Sequence, residues 1–273
     1  MARRYRGVAK KKDNTVKNAA AIVAIVVSLG VLGAIGYWTK ARKDEMALLD
    51  PATLCPRSGP VAETAVLIDR TDALTEVQAG ALRQRIKAWA SEVPKYGSFK
   101  IYEVGKSGVV LEPVVSVCNP GDGSDASSID SNPRLLRKRY DDKFEAPIDR
   151  MLTSMRIDIE AATSPIMEAV QAISVRDFGP AASNGPKTLL LVTDLLQHGP
   201  EFSLYKNVPN FDAFRKSAYA RSVQADLAGV HVSIHLLNRK NAAAKQTDAL
   251  GEFWIHWLGD QGAIVDEFKR IPG

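Results

Sequence analysis

The longest apolar stretch of the chain covers residues 19–38, a run of 20 residues without a charged side chain. At about 1.5 Å of rise per residue, a helix of this length spans roughly 30 Å, which is the thickness of the hydrocarbon core of a bilayer. The pattern predicts one transmembrane helix, which separates a basic tail at residues 1–18 from a linker at residues 39–60 and a body at residues 61–273.

Two other interpretations of residues 19–38 remain open. A cleaved signal peptide would use the small residues Ala34 and Gly36 at its cleavage site, although the apolar stretch is longer than in most signal peptides. A buried core helix suits shorter apolar stretches better. Basic residues are concentrated before the segment, so the positive-inside rule places the N-terminus in the cytoplasm and the body outside it. Because the tail is short and the anchor single, we expect a bacterial inner membrane and a periplasmic body.

The body shows short apolar runs that alternate with amphipathic segments. The apolar runs predict strands at residues 65–68, 99–104, 109–117, 189–192, 230–237 and 263–265. Helical spacing of apolar residues predicts helices between Thr75 and Pro94 and at residues 133–161, 166–175, 211–227 and 247–258. A hairpin turn makes the third strand antiparallel. We therefore expect an α/β fold with a mostly parallel sheet and helices on both faces.

The positive charge of the chain belongs to its N-terminal tail. The chain has 36 basic and 31 acidic residues, of which the tail holds seven and one, so the rest has 29 basic and 30 acidic residues and a formal charge of −1. The chain beyond the tail therefore has no excess of basic residues for nucleic-acid binding, so we expect no nucleic-acid partner. The tail can set the membrane topology and can also attract anionic lipid head groups.

The chain has two cysteines, Cys55 and Cys118, and both follow the predicted membrane segment. In an oxidising compartment outside the cytoplasm they would be able to form a disulfide. Their number alone is equally compatible with two buried free thiols.

Polar residues from three distant segments are predicted to meet at one rim of the sheet. Asp69 and Thr71 follow the first strand, Asp194 follows the strand at residues 189–192, and Ser164 lies in the loop before a helix. Ligands of mostly parallel sheets bind at the carboxyl ends of the strands. Carboxylates and hydroxyls suit Mg²⁺, which prefers oxygen ligands and keeps several waters. Alternatively, the two aspartates only cap the helices that follow them.

These residues resemble the metal-ion-dependent adhesion site of the von Willebrand factor A domain family. That family carries Asp-x-Ser-x-Ser after its first strand, a threonine in a loop before a helix, and an aspartate at the end of a later strand. Asp69 and Thr71 match the first two places, Ser164 matches the loop hydroxyl, and Asp194 matches the last aspartate. Ala73 stands where the family has its second serine, and Leu195 stands where glycine is common.

The resemblance implies a Rossmann-like sheet of strand order 3-2-1-4-5-6 with the third strand antiparallel. This layout places Cys55 and Cys118 at the same edge, opposite the proposed metal rim, and so favours a disulfide between them. It also implies a non-enzymatic protein-binding module, in which an acidic side chain of the partner completes the coordination of Mg²⁺ or Mn²⁺. Since Ala73 removes one hydroxyl ligand, a structural domain with a vestigial metal site is the alternative.

Three enzymatic or metal-binding alternatives are less well matched by the sequence. A haloacid-dehalogenase-like phosphatase would use Asp69 as nucleophile, but its general acid would then be Thr71, which cannot supply a proton efficiently near neutral pH. A triad of Ser164, His198 and Asp194 lacks the Gly-x-Ser-x-Gly turn of hydrolases. His231 and His235 share one face of a strand without further ligands for zinc nearby in the sequence.

Overall fold

The computed structural model describes residues 15–104, 112–124, 132–155, 161–180 and 182–271, and it divides into the compact units Met1–Leu49 and Asp50–Gly273. The first unit contains one helix, α1 (Thr15–Ala47), for which the side chains of residues 22–37, 39 and 40 are described. Its large apolar side chains between Ile22 and Ile35 are more than half exposed. Across the described residues, no helix combines the length and apolar character that a membrane crossing requires.

The second unit is built on a six-stranded sheet. Its strands are β1 (Glu63–Asp69), β2 (Ser98–Val104), β3 (Val115–Cys118), β4 (Lys187–Thr193), β5 (Val230–Leu237) and β6 (Ile264–Ile271). They lie in the order β3-β2-β1-β4-β5-β6, and β3 is antiparallel to β2 whereas all other neighbours are parallel. The predicted α/β fold and strand order are therefore confirmed.

Helices cover both faces of this sheet. They are α2 (Glu76–Glu92), α3 (Pro133–Tyr140), α4 (Ala146–Ser154), α5 (Ile166–Asp177), α6 (Phe211–Arg215), α7 (Ala218–Ser222) and α8 (Asp248–Asp260). A π-helical turn, Asp141–Glu145, joins α3 to α4. One apolar core includes α5 and α8 with Leu67 and Leu191, and the other includes α2, α3 and α4 with Ile68 and Val192. Alternate residues of each strand thus enter opposite cores.

Several elements differ in length from the prediction. The helix predicted at residues 211–227 is replaced by α6 and α7, because the hydroxyl of Ser217 accepts a hydrogen bond from the Ala220 amide and starts a new helix. The last strand runs to Ile271 rather than Val265, since it pairs with β5 along its length. The helix predicted at residues 133–161 ends at Ser154. Residues 105–111, which include the predicted hairpin turn, lie outside the described residues.

Cys55 and Cys118 form a disulfide, with their Cα atoms 4.8 Å apart, and this confirms the predicted pairing. The adjacent backbone is also bonded, because the amide of Cys118 donates to the carbonyl of Thr53 at 2.8 Å. Leu54 is buried. Residues from Asp50 onwards therefore belong to the body, although the sequence predicts a linker as far as residue 60.

Thr75 caps the N-terminus of α2, and this cap allows a controlled test of stability. The Thr75 hydroxyl accepts from the Gln78 amide at 3.1 Å, and the Gln78 side chain accepts from the Thr75 amide at 3.2 Å. Thr247 occupies the same position at α8 but makes no such side-chain bond. We expect Thr75→Ala to lower the free energy of unfolding by about 1 kcal/mol and Thr247→Ala to have little effect. Urea unfolding followed by tryptophan fluorescence would measure both, and equal losses would contradict the assignment.

Candidate functional site

Asp69, the last residue of β1, is the centre of a hydrogen-bond network in which both carboxylate oxygens are occupied. Its Oδ1 accepts from the amide and hydroxyl of Thr71 at 3.0 and 2.6 Å. Its Oδ2 accepts from the hydroxyls of Thr193 at 2.9 Å and Ser164 at 3.3 Å. All four side chains are buried, and Asp69 has no exposed surface. The network therefore joins three segments that lie far apart in the sequence.

The topology of the sheet and one short loop contact bring these residues together. Because β1 and β4 are parallel neighbours, Asp69 and Thr193 end at the same edge of the sheet. Ser164 precedes α5, and its loop is held by two backbone bonds with His198, Ser164 N to His198 O at 2.8 Å and His198 N to Ser164 O at 2.9 Å. The edge formed by these residues and by the adjacent Asp194, Asp72, Ala73 and Tyr205 is called the rim below; Asp69, Thr71, Ser164, Thr193 and Asp194 form its buried part.

Asp194 lies one residue beyond β4 and is buried. Its Oδ1 accepts from the Leu196 amide at 2.8 Å, and its Oδ2 accepts from Nε of Arg239 at 3.3 Å. Burial, followed by the negative charge of Asp69, raises the pKa of Asp194 well above its usual value, while the Leu196 amide and Arg239 act in the opposite direction. The structure thus brings all four predicted site residues, Asp69, Thr71, Ser164 and Asp194, to the rim.

Leu195 turns the chain sharply after Asp194. Its φ angle is +63°, in the left-handed region that glycine adopts most easily, and its side chain is fully buried. Such a conformation costs roughly 1–2 kcal/mol for a residue with a side chain. The Leu195 carbonyl accepts from the indole of Trp254 at 2.8 Å. The buried side chain and the indole bond hold Leu195 in this turn.

Arg239 is a residue of the site that the sequence interpretation missed. It follows β5 by two residues, and its Nη1 donates to the carbonyl of Ala73 at 2.5 Å while Nε faces Asp194. Gln246 fixes it from behind, because its Oε1 accepts from the Arg239 amide at 2.7 Å and its Nε2 donates to the Asp194 carbonyl at 3.1 Å. The feature of the sequence that could have identified Arg239 is its position just after a predicted strand, which lies parallel to β4 in the structure.

The donor set does not fit a complete divalent-metal centre. Ala73 supplies no hydroxyl, and the guanidinium of Arg239 occupies one oxygen of Asp194. Two unit charges about 4 Å apart interact by about 4 kcal/mol at an effective dielectric constant of about 20, and a divalent ion doubles that repulsion. Among the residues that the structure describes, no group of three or more histidines, cysteines or acidic residues could hold a metal ion. The predicted Mg²⁺ or Mn²⁺ site therefore does not match this arrangement.

The accessible part of the rim carries Asp72, Ala73 and Tyr205. Ala73 is exposed, and the other two are partly buried. The Tyr205 hydroxyl donates to Oδ2 of Asp72 at 3.3 Å, and its ring lies edge-on to His198 with 5.5 Å between centroids. Burial and the charges of Asp194 and Asp72 raise the pKa of Tyr205, so the phenol remains protonated and keeps its donor.

The geometry does not assemble the enzymatic alternatives. The Ser164 hydroxyl donates to Asp69, while Nδ1 of His198 lies 2.9 Å from the Ser203 hydroxyl, so Ser164 and His198 do not form the nucleophile-base pair of the predicted triad. Both oxygens of Asp69 accept hydrogen bonds from neighbouring donors, which makes this carboxylate a poor nucleophile for the phosphatase mechanism.

The two histidines of β5 lie in different surroundings. His231 is exposed beside Asp266 at 3.0 Å, whereas His235 is buried edge-on against Trp89, with 4.7 Å between ring centroids. Burial lowers the pKa of His235 to about 4, so this ring is neutral near pH 7. Packing accounts for His235, and the pair does not form a zinc site.

No family model matches the sequence, and no curated protein matches it. Solved structures with a similar fold include the ArnB paralog VWA2 from Sulfolobus acidocaldarius, with 12% identity, 78% of this chain and 41% of that chain covered, and a TM-score of 0.40. A von Willebrand factor type A structure from Catenulispora acidiphila has 11% identity, coverage of 75% and 42%, and a TM-score of 0.39. These structural neighbours are von Willebrand factor A domains, and the chain spans about two fifths of their length.

Proposed function

We propose that this chain is a membrane-anchored protein-binding module whose body lies outside the cytoplasm and binds its partner at the rim. The observation that carries the proposal is the buried network around Asp69, which fixes three distant segments beside the accessible Asp72, Ala73 and Tyr205. A rigid scaffold that presents a few polar groups at one edge of a sheet is a common basis for specific binding.

The anchor and the location rest on separate arguments. Residues 19–38 carry no charge, and basic residues precede them. The helix α1 covers these residues, and its described apolar side chains are exposed in the chain by itself. The disulfide between Cys55 and Cys118 supports an oxidising compartment, because such bonds are rare in the cytoplasm. A bacterial inner membrane with a periplasmic body satisfies these conditions.

The way in which the polar groups are bonded supports a non-enzymatic role. The hydroxyls of Ser164 and Thr193 both donate to Asp69, and all three side chains are buried. A catalytic nucleophile needs access to substrate and an adjacent base, and none of the three has this arrangement. A purely structural domain with a vestigial site is the second candidate, favoured by Ala73 and by the contact of Arg239 with Asp194.

Site-specific photocrosslinking in intact cells would test the proposed function. A photoreactive amino acid at Ala73 probes the rim, and the same amino acid at Ser91 probes an exposed position near the other end of α2. We expect discrete adducts from position 73 of the full-length protein and none of the same mass from position 91. Asp72→Ala should reduce the yield of the rim adducts. Identical adducts from both positions, or none from position 73, would support the structural domain instead.

A further inference from the structure

We infer that the guanidinium of Arg239 takes the place of the divalent cation at the rim, so that the rim needs neither Mg²⁺ nor Mn²⁺. The inference concerns the same site as the proposed function, and its consequence for partner binding rests on that proposed function. The statement about the cation depends only on the geometry of Arg239, Asp194 and Ala73.

Arg239 contacts both Asp194, a predicted metal ligand, and Ala73, the residue that lacks the expected hydroxyl. Its Nε takes an oxygen of Asp194, the aspartate that the resembling family uses at its metal. Its Nη1 donates to the carbonyl of Ala73, the residue that lacks the expected hydroxyl. One side chain therefore occupies a carboxylate oxygen and lies against the position where a ligand is missing. Arginine keeps its charge at all physiological pH values, so this positive charge is permanent.

The surrounding residues hold Arg239 in this place. Its side chain is 8% exposed, and Gln246 bonds its backbone amide as well as the carbonyls of Asp194 and Leu237. A flexible surface arginine could swing away when a metal arrives, whereas a buried arginine with fixed backbone can move only by breaking these contacts. The guanidinium is thus part of the folded rim.

Each carboxylate of the rim already has hydrogen-bond donors of its own. Asp69 receives the Thr71 amide and three hydroxyls, Asp194 receives the Leu196 amide and Arg239, and Asp72 receives the Tyr205 hydroxyl. A carboxylate has about four lone pairs, and Asp69 already uses four, so a divalent ion at Asp69 would have to displace an internal donor. At Asp194 the ion would compete with the guanidinium of Arg239. Alanine at position 73 and arginine at position 239 therefore both disfavour a divalent ion at the rim.

Metal titration of the full-length protein in detergent would test the inference. We expect no saturable binding of Mn²⁺, followed by its paramagnetic resonance signal, or of Mg²⁺, followed by calorimetry, at millimolar concentrations. The double variant Ala73→Ser/Arg239→Gln should acquire one Mn²⁺ site at least about tenfold tighter than any in the original protein, and a further Asp194→Asn change should remove it. Arg215→Gln, which removes an exposed arginine paired with Asp260, should behave like the original protein.

Two results would overturn the inference: a single Mn²⁺ site in the original protein that Asp69→Asn removes, or a folded double variant without a site. If the double variant does not fold, the titration of the original protein still decides. The partner is tested separately by crosslinking from position 73 with and without EDTA, where unchanged adducts are expected and adducts lost with EDTA would contradict the inference. Absence of adducts under both conditions would contradict the proposed function and leave the metal titration as the test of the cation.

Discussion

Asp69→Ala is expected to lower the free energy of unfolding by about 3 kcal/mol, because it leaves four buried donors without their acceptor. Some of that loss is recovered, since the hydroxyls of Thr71, Ser164 and Thr193 can rotate and the charge that raises the pKa of Asp194 disappears. Urea unfolding of the full-length protein in detergent, followed by tryptophan fluorescence, would measure the loss.

Asp122 provides a matched control within the same chain. Its Oδ1 accepts from the amide and hydroxyl of Ser124 at 2.9 and 2.7 Å, which is the local arrangement that Asp69 makes with Thr71, but in an exposed loop. Water replaces the lost acceptor there, so Asp122→Ala should cost less than about 1 kcal/mol. Similar losses for the two substitutions would show that the contacts of Asp69 with Ser164 and Thr193 contribute little.

Reduction of the disulfide between Cys55 and Cys118 should destabilise the body by about 4 kcal/mol, because the bond closes a loop with a sequence separation of 63 residues. The constraint acts mainly on the unfolded chain, so the native sheet should persist after reduction with a lower urea midpoint. The experiment compares the full-length protein with and without dithiothreitol.

The control for reduction is the variant Cys55→Ser/Cys118→Ala, in which alanine avoids a hydroxyl at the fully buried position 118. This variant should have the reduced midpoint and should not respond to dithiothreitol. An unchanged midpoint of the original protein after complete reduction, verified by thiol labelling, would show that the bond between Thr53 and Cys118 is enough to hold this segment.

The parts of the fold that were predictable are those fixed by short-range patterns. Strands β1 and β4 contain continuous apolar runs because both of their faces are buried, and such runs are visible in the sequence. The full length of β6 was not visible, because most of its residues are exposed or partly buried and form no continuous apolar run. The break at Ser217 depends on one hydroxyl that caps a helix within an amphipathic stretch.

The residues of the candidate site that lie at the ends of buried strands were predictable from the sequence, and Arg239 was not. Asp69, Thr71 and Asp194 directly follow buried strands, and parallel topology then places them at one edge. Arg239 was not predicted, because its role depends on the path of the chain from β5 through Gln246. No local sequence pattern distinguishes Arg239 from the other arginines. It reaches Asp194 because β5 lies next to β4 in the sheet.

Position 195 needs both a left-handed backbone, which glycine adopts most easily, and an apolar side chain that is buried in the core. No single amino acid meets both requirements. Glycine would relax the backbone by roughly 1–2 kcal/mol but would empty a space that the leucine side chain fills completely. Removing a buried leucine side chain costs about 2–5 kcal/mol, which is the larger quantity. Replacement of Leu195 by glycine would therefore need a compensating enlargement of another side chain in the same core, and position 195 should stay apolar in descendants of this sequence that lack one.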